Sequence, residues 1–181
     1  SLFKIANDIR LLGSGPRCSI GEIKLPATQP GSSIMPGKVN PVMSEAVTMV
    51  ASRVYGNQTT VSWAGANGHF ELNVFMPVMS KAIMESIHLL ARASETFSTR
   101  CIEGIQANEE RCNELIEYSL SMVTSLAPII GYETAAKIAK ESVSTGKTVR
   151  ELCQEQISEL NISEEELSSA LDPSKMTEPS H

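Results

Sequence analysis

Apolar and polar positions alternate with the period of an α-helix along most of the chain. Such a period places every third or fourth residue on one helical face, and it predicts amphipathic helices rather than strands. The glycines and the proline at 13–16 predict the end of the first helix. This helix, over 2–12, carries an apolar face formed by Leu2, Ile5, Ile9 and Leu12.

Two long helices are predicted after a stretch rich in glycine and proline, which we expect to be irregular over 13–41. The first long helix follows Pro41 and covers 42–63. The second covers 70–98 and is expected to bend slightly at Pro77. Its apolar stripe contains Leu72, Phe75, Met79, Ile83, Ile87 and Leu90, and Val74, Val78, Met84 and Leu89 widen it.

The second long helix is apolar around most of its circumference, which is typical of a helix buried among several neighbours. At 1.5 Å per residue it is about 43 Å long. A compact chain of this size has a radius of gyration of only about 16 Å. We therefore expect partner helices, from other subunits or from sequence outside this chain, to cover it.

Shorter helices are predicted in the last third of the chain, with a frayed tail at 172–181. The sequence Asn-Glu-Glu at 108–110 is typical of a helix N-terminus, and Ser-x-x-Glu at 163–166 is typical of a capping box. A strand-like segment is expected only at 22–25. The helices are expected over 108–120, 121–127, 131–144, 148–158 and 163–171.

These elements predict an all-α fold in two parts. Residues 1–105 are expected to form long helices of a central oligomeric bundle, with a functional loop over 28–41, and residues 106–181 a small C-terminal helical domain. The charge changes at the same place: residues 1–100 hold nine basic and six acidic side chains, and residues 101–181 hold six and fifteen. The positive part is where we expect an anionic ligand to bind.

The composition excludes several classes of protein. A net charge of −6 argues against a general nucleic-acid binder. No apolar run approaches the ~20 residues that a membrane span needs. The scattered cysteines and histidines lack metal-site spacing, so we expect free thiols and no metal. The cysteines are Cys18, Cys101, Cys112 and Cys153.

The segment GSSIMPGKVNP at 31–41 has the residue types of an anion-binding loop. Ser32 and Ser33 offer hydroxyls on a backbone that a ligand can approach closely, Lys38 offers a cation, and Asn40 offers both a donor and an acceptor. The next helix begins directly behind, so its N-terminal dipole adds positive potential. By composition alone, a linker made of common loop residues fits equally well. A nucleotide P-loop does not fit, because Val39 stands where Ser or Thr is required.

The same segment resembles the signature of the fumarase/aspartase superfamily, G-S-x-x-M-x-x-K-x-N. SGPRCSIGEIKLP, GHFELNVFMPV and LAPIIGYETAAKIAK also resemble class II fumarase, and the resemblance covers the whole chain as the C-terminal portion of such an enzyme. Gly37 and the GHFELN string favour fumarase over aspartase. The departures are mild, and none falls on a signature position: Ser19, His69 and Val42-Met43-Ser44.

The resemblance implies reversible hydration of fumarate to (S)-malate without a metal or other cofactor. It gives Ser32 the role of the base that takes the C3 proton. It places substrate carboxylate oxygens on Ser33, Lys38 and Asn40, with a backbone contribution from Val39. Glu45 corresponds to the acid that orients a histidine of another subunit.

The family also implies a homotetramer whose active sites are each shared by three subunits, so we expect this chain to need the N-terminal segment that it lacks. We expect no nucleic-acid or membrane partner, and a cytoplasmic location, or the mitochondrial matrix in a eukaryote. Two alternatives remain: an aspartate ammonia-lyase of the same superfamily, and a helical assembly module without catalysis.

Overall fold

Helices make up most of the regular structure in the computed structural model, which describes residues 1–15, 17–29, 34–35 and 37–177. The predicted all-α class is confirmed. The chain divides into two compact units, Ser1–Asn108 and Glu109–His181. The first unit contains α1 (Leu2–Leu12), β1 (Ile23–Lys24), α2 (Val42–Gly65), α3 (Met76–Arg100) and β2 (Gln106–Ala107). The second contains α4 (Glu109–Glu117), α5 (Val123–Ile130), α6 (Tyr132–Thr145), α7 (Val149–Glu155), α8 (Ile157–Leu160), α9 (Glu164–Ala170) and α10 (Pro173–Met176).

The core of the first unit lies where α1, α2 and the end of α3 meet. Its buried members are Ala6, Val47, Phe97 and Cys101. Ser44, in the first turn of α2, is fully buried beside this core. Burial raises the pKa of the Cys101 thiol, and a contact from the Ser44 hydroxyl acts in the opposite direction. The core therefore fixes the start of α2, which directly follows the predicted functional loop.

A polar cluster joins α2 to α3 halfway along their length. The side-chain amide of Asn57, which is buried, donates to Oε2 of Glu85 at 2.8 Å and to Oγ of Ser86 at 3.0 Å. Arg53 Nη2 lies 2.9 Å from the same carboxylate oxygen. The bonds from Asn57 and then from Arg53 lower the pKa of Glu85. The ion pair between Arg53 and Glu85 and the hydrogen bonds of the buried Asn57 side chain thus fix the register of the two long helices.

The prediction that the second long helix begins at residue 70 is wrong, because residues 66–75 form a non-helical connection that contains a tight turn at 69–72. His69 and Leu72 exchange backbone hydrogen bonds of 2.9 and 3.0 Å, and Phe70 adopts a positive φ of 50°. Asn73 fixes the turn by donating to the carbonyl of Ala64 at 3.1 Å. The expected bend is also wrong: Pro77 lies in the first turn of α3, where its missing N–H costs no helical hydrogen bond.

Much of the apolar surface of α3 lies uncovered within this chain. Only Ala82 and Phe97 are buried along the helix, whose residues are all described. Four large apolar side chains, each 42–53% exposed, lie along its length: Val78, Ile83, Met84 and Ile87. The chain by itself does not cover this surface, as the length of the helix led us to expect.

The second unit has its own core, and its N-terminal caps follow the sequence patterns. The predicted capping box of Ser163 and Glu166 is confirmed, and Thr148 forms another with Glu151. The single helix expected over 148–158 is instead two, because Gln156 leaves helical geometry. The buried core consists of Met122, Leu126, Ile138, Val149, Leu152, Cys153, Leu167 and Leu171.

Two further expectations for the second unit need correction. The helix expected over 121–127 begins as a 3₁₀ turn at Leu120–Met122 and continues as α5. The tail expected to be frayed from residue 172 contains α10, because the Asp172 side chain caps it by accepting from the backbone N–H of Ser174. The end of that tail, 178–181, lies outside the described residues.

The helices of the described segments include none that is both long and apolar enough to span a bilayer. Among the described residues no two cysteines form a disulfide: Cys18 is exposed, Cys112 is half-buried, and Cys101 and Cys153 are buried.

Candidate functional site

A cleft of about 500 Å³ lies in the first unit at the end of the predicted functional loop. On one side it is lined by the backbone and side chains of 37–41, which include Lys38, Val39 and Asn40. On the other side lie the end of α1, the turn at 13–15 and the segment around β1. The structure thus brings three of the six predicted site residues to one concave surface.

The other three predicted residues are not seen in the cleft. Ser32 and Ser33 lie outside the described residues. Glu45 is half-buried in the first turn of α2 and does not line the cleft. Its backbone N–H donates to the carbonyl of Pro41 at 3.0 Å, and its carbonyl accepts from the Thr48 hydroxyl at 2.7 Å.

Among the described residues, the cleft is lined by three cations and by no aspartate or glutamate. The cations are Arg10, Lys24 and Lys38. Within the described part of the chain, none of the three forms an ion pair with a carboxylate; Arg10 donates from Nη2 to the side-chain oxygen of Asn7 at 2.9 Å. Positive charges that converge on a concave surface without internal neutralisation create an attractive potential for an anion.

Local geometry at 37–42 presents the loop to the cleft. Gly37 has a φ of 82°, a conformation that costs glycine little and other residues more. The backbone N–H of Lys38 donates to the carbonyl of Met35 at 3.1 Å, and that of Val42 donates to the carbonyl of Asn40 at 2.9 Å. Two consecutive turns therefore place Lys38 and Asn40 beside the N-terminus of α2, where the helix dipole favours negative charge.

The opposite wall is held by contacts between residues far apart in the sequence. The backbone N–H of Asn108 donates to the carbonyl of Glu22 at 2.8 Å, and its side-chain amide donates to the carbonyl of Gly21 at 2.9 Å. Next to this contact, β1 pairs antiparallel with β2, so that Lys24 lies opposite Gln106. The wall that carries Lys24 is thus attached to the chain's residues 106–108.

Three cleft-lining residues with charged or amide side chains were missed by sequence reasoning: Arg10, Lys24 and Asn108. Arg10 lies on the polar face of an amphipathic helix, and Lys24 lies in a two-residue strand, where a charged side chain is unremarkable. Asn108 has the pattern of a helix cap. Their common position depends on pairing between segments more than eighty residues apart, for which the local pattern contains no signal.

Among the described residues, no three histidine, cysteine, aspartate or glutamate side chains are grouped as ligands of a metal ion would be. The side-chain donors that line the cleft are ammonium, guanidinium and amide groups. This set suits the oxygens of a carboxylate or a similar anion.

Two family models match the chain. The model described as "Lyase" matches residues 1–56, and the model described as "Fumarase C C-terminus" matches residues 122–178. The first match includes Lys38, Val39, Asn40 and Glu45.

Similar proteins include fumarate hydratases from distant organisms. The chain is 55% identical to the mitochondrial fumarate hydratase of Dictyostelium discoideum over 97% of its own length and 36% of that protein. It is 53% identical to the class II fumarate hydratase of Methylorubrum extorquens over 99% of its length and 37% of that protein. The chain therefore spans little more than a third of these relatives.

Solved structures give the same result at the level of the fold. A Brucella melitensis protein titled "fumarate lyase:delta crystallin" and crystallised with cobalt superimposes with a TM-score of 0.91 at 48% identity, over 98% of this chain and 38% of that one. The class II fumarase of Schistosoma mansoni superimposes with a TM-score of 0.85 at 38% identity, over 97% and 36%. The sequence and the structure agree: this chain belongs to the class II fumarase family and corresponds to a C-terminal portion of its members.

Proposed function

We propose that the chain supplies the signature-loop segment of an active site that hydrates fumarate reversibly to (S)-malate. The observation that carries this proposal is the cleft that Lys38, Asn40, Arg10 and Lys24 line together, with no carboxylate among its described lining residues. Fumarate and malate are dianions at neutral pH, so a cationic surface without internal ion pairs suits both substrate and product.

The difficult step of this reaction, in the direction of dehydration, is the removal of a weakly acidic C3–H proton beside a carboxylate. The electron pair left on C3 spreads onto that carboxylate and gives an aci-carboxylate dianion, which preorganised positive groups stabilise. The hydroxyl group at C2 then leaves as water, with a proton from an acid that another segment supplies, as the double bond forms. In hydration the same steps run backwards, with the hydroxyl added at C2 and the proton at C3.

The proposed roles follow the signature. Ser32 takes the C3 proton as an alkoxide that nearby cations and backbone N–H groups stabilise. Ser33, Lys38 and Asn40 hold substrate carboxylate oxygens, and Val39 contributes its backbone. The exposed ammonium of Lys38 and the half-buried amide of Asn40 are available for such contacts on the surface of the cleft.

The rest of the site comes from other polypeptide segments in this proposal. Glu45 orients a histidine of another subunit, and the active site is completed by three subunits of a homotetramer that includes the N-terminal segment of the family. The uncovered apolar surface of α3 supports this assembly, because a large apolar surface exposed to water is typical of a protein–protein interface. We place the enzyme in the cytoplasm, or in the mitochondrial matrix in a eukaryote.

The test is turnover by the complete enzyme that contains this chain, followed by the ultraviolet absorbance of fumarate. We expect interconversion of fumarate and malate, no release of fumarate from aspartate, and loss of nearly all activity in Ser32→Ala. Ser158→Ala is the matched control, since Ser158 is an exposed serine of the second unit. Turnover of aspartate instead of malate, or full malate turnover in Ser32→Ala, would overturn the proposal.

A further inference from the structure

Two cations of the cleft, Arg10 and Lys24, have no part in the proposed reaction. Lys24 lies in β1, on the wall opposite the loop that carries Lys38 and Asn40. Its side chain is exposed and makes no ion pair within the described residues. Glu22, the acidic residue nearest to it in the sequence, is not among the residues that line the cleft.

We propose that Lys24 is a substrate-capturing residue, whose ammonium group draws a dicarboxylate dianion into the cleft toward Lys38 and Asn40. This inference rests on the proposed function and adds a residue to it. It assigns Lys24 to the encounter with the anion and not to the proton transfer.

The structure holds Lys24 in place from two sides. Backbone pairing with Gln106 fixes the strand, and the two hydrogen bonds from Asn108 fix the carbonyls of Gly21 and Glu22 just before it. The Pro26 ring packs against Gly104 so closely that a Cβ atom there would lie 2.6 Å from Cγ of the ring. The backbone of Lys24 is therefore anchored, which keeps its side chain at the edge of the cleft before any ligand arrives.

The physical effect expected is electrostatic steering. Charges of one sign around a cleft raise the local concentration of the opposite charge and the rate of productive encounter. A dianion feels each cation twice as strongly as a monoanion does. Since Lys24 is exposed, dissolved salt screens it over about 10 Å at 0.1 M ionic strength. Its contribution is therefore expected at low salt and not at high salt.

The experiment measures kcat/KM for fumarate in the complete enzyme at ionic strengths of about 0.01 M and about 0.3 M. We expect Lys24→Gln to lower kcat/KM about three-fold at the lower ionic strength, mainly through a higher KM. At the higher ionic strength the substitution is expected to have almost no effect on kcat/KM. Lys24→Arg, which keeps the charge, is expected to restore it. Lys137→Gln removes an exposed lysine of the second unit and serves as the control.

Succinate, a saturated dicarboxylate, separates this inference from the proposed function. Calorimetry is expected to show weaker succinate binding in Lys24→Gln than in the unsubstituted enzyme, with the same dependence on salt. Succinate binding that depends on Lys24 in an enzyme that does not hydrate fumarate supports the inference and overturns the function. The inference is overturned if Lys24→Gln changes neither fumarate turnover nor succinate binding. It is also overturned if Lys24→Gln lowers kcat/KM or succinate affinity by the same factor at both ionic strengths.

Discussion

The side-chain amide of Asn108 donates a 2.9 Å hydrogen bond to the carbonyl oxygen of Gly21, a residue 87 positions earlier in the chain. Gly21 is buried and lines the cleft, and Asn108 itself is half-buried there. Together with the backbone bond from Asn108 to Glu22 and the pairing of β1 with β2, this contact joins the end of the first unit to the wall that carries Lys24. Its loss is expected to affect both the stability of that wall and the binding of substrate.

We predict that Asn108→Ala lowers the free energy of unfolding by about 1–2 kcal/mol, because a buried carbonyl loses its donor. Urea-induced unfolding gives this value, and the KM for fumarate is expected to rise in the same variant. Asn113→Ala, at an exposed position of α4, is the control: it is expected to leave the KM unchanged and not to destabilise the protein, since alanine favours a helix more than asparagine does. The same free energy of unfolding and the same KM in both variants would contradict the role given to Asn108.

A second prediction concerns the acid dependence of the α2–α3 pair. The bonds from Asn57 and Arg53 lower the pKa of Glu85 from its ordinary value of 4.5. The folded state thus favours the charged carboxylate, so its stabilising effect is complete above about pH 4.5 and is lost as the pH falls through the lower folded-state pKa. Glu85→Gln is expected to destabilise the protein at pH 7 and to have much less effect at pH 3. The midpoints of urea-induced unfolding of Glu85→Gln and of the unsubstituted protein are measured at both pH values. A difference between the two proteins that is the same at pH 7 and pH 3 would contradict this prediction.

A third prediction compares two glycines with different surroundings. In Gly104→Ala the added Cβ would lie 2.6 Å from a ring carbon of Pro26, so the strand pair beside the cleft must shift, at a cost of about 1–3 kcal/mol. At Gly56, in the middle of α2, an added Cβ would have no described atom within 4 Å apart from the glycine's chain neighbours and the backbone of the helix itself. In the isolated chain, Gly56→Ala is expected to stabilise α2 by about 0.5–1 kcal/mol through helix propensity. Thermal unfolding of both variants distinguishes the two effects, and a stabilising Gly104→Ala would show that the close packing is absent.

A fourth prediction concerns the isolated chain of 181 residues. We expect it to have no measurable hydratase activity, because the proposed site needs groups from other segments. With Ile83 and Ile87 of α3 uncovered, we also expect it to associate, which sedimentation velocity measures. Turnover of fumarate by the isolated chain that Ser32→Ala abolishes would contradict this prediction.

The sequence predicted the helical class because a period of 3.6 residues is a local signal. It also indicated the start of α2 after Pro41 and the capping box at Ser163. It failed at the start of α3, because Leu72 and Phe75 continue the helical spacing through residues that form a turn. In this segment the hydrogen bond from Asn73 to the carbonyl of Ala64 and the positive φ of Phe70 stabilise a turn, although the apolar spacing favours a helix.

The candidate site was predictable only in part, for a similar reason. Lys38, Val39 and Asn40 lie in one continuous motif, so the sequence places them together. Lys24 and Asn108 join them through a strand pair and hydrogen bonds between distant segments. Such contacts depend on the tertiary fold and not on the composition of either segment.

The most direct test of the central claim is the steady-state kinetics of Lys38→Met in the complete enzyme. Lys38 lines the cleft and makes no ion pair within the described residues, so its charge is available to the substrate. If the cleft binds the dianion and stabilises the charge that develops on it, kcat/KM for fumarate falls about 100-fold or more, as for the loss of other preorganised groups of this kind. A value within three-fold of the unsubstituted enzyme would contradict the account.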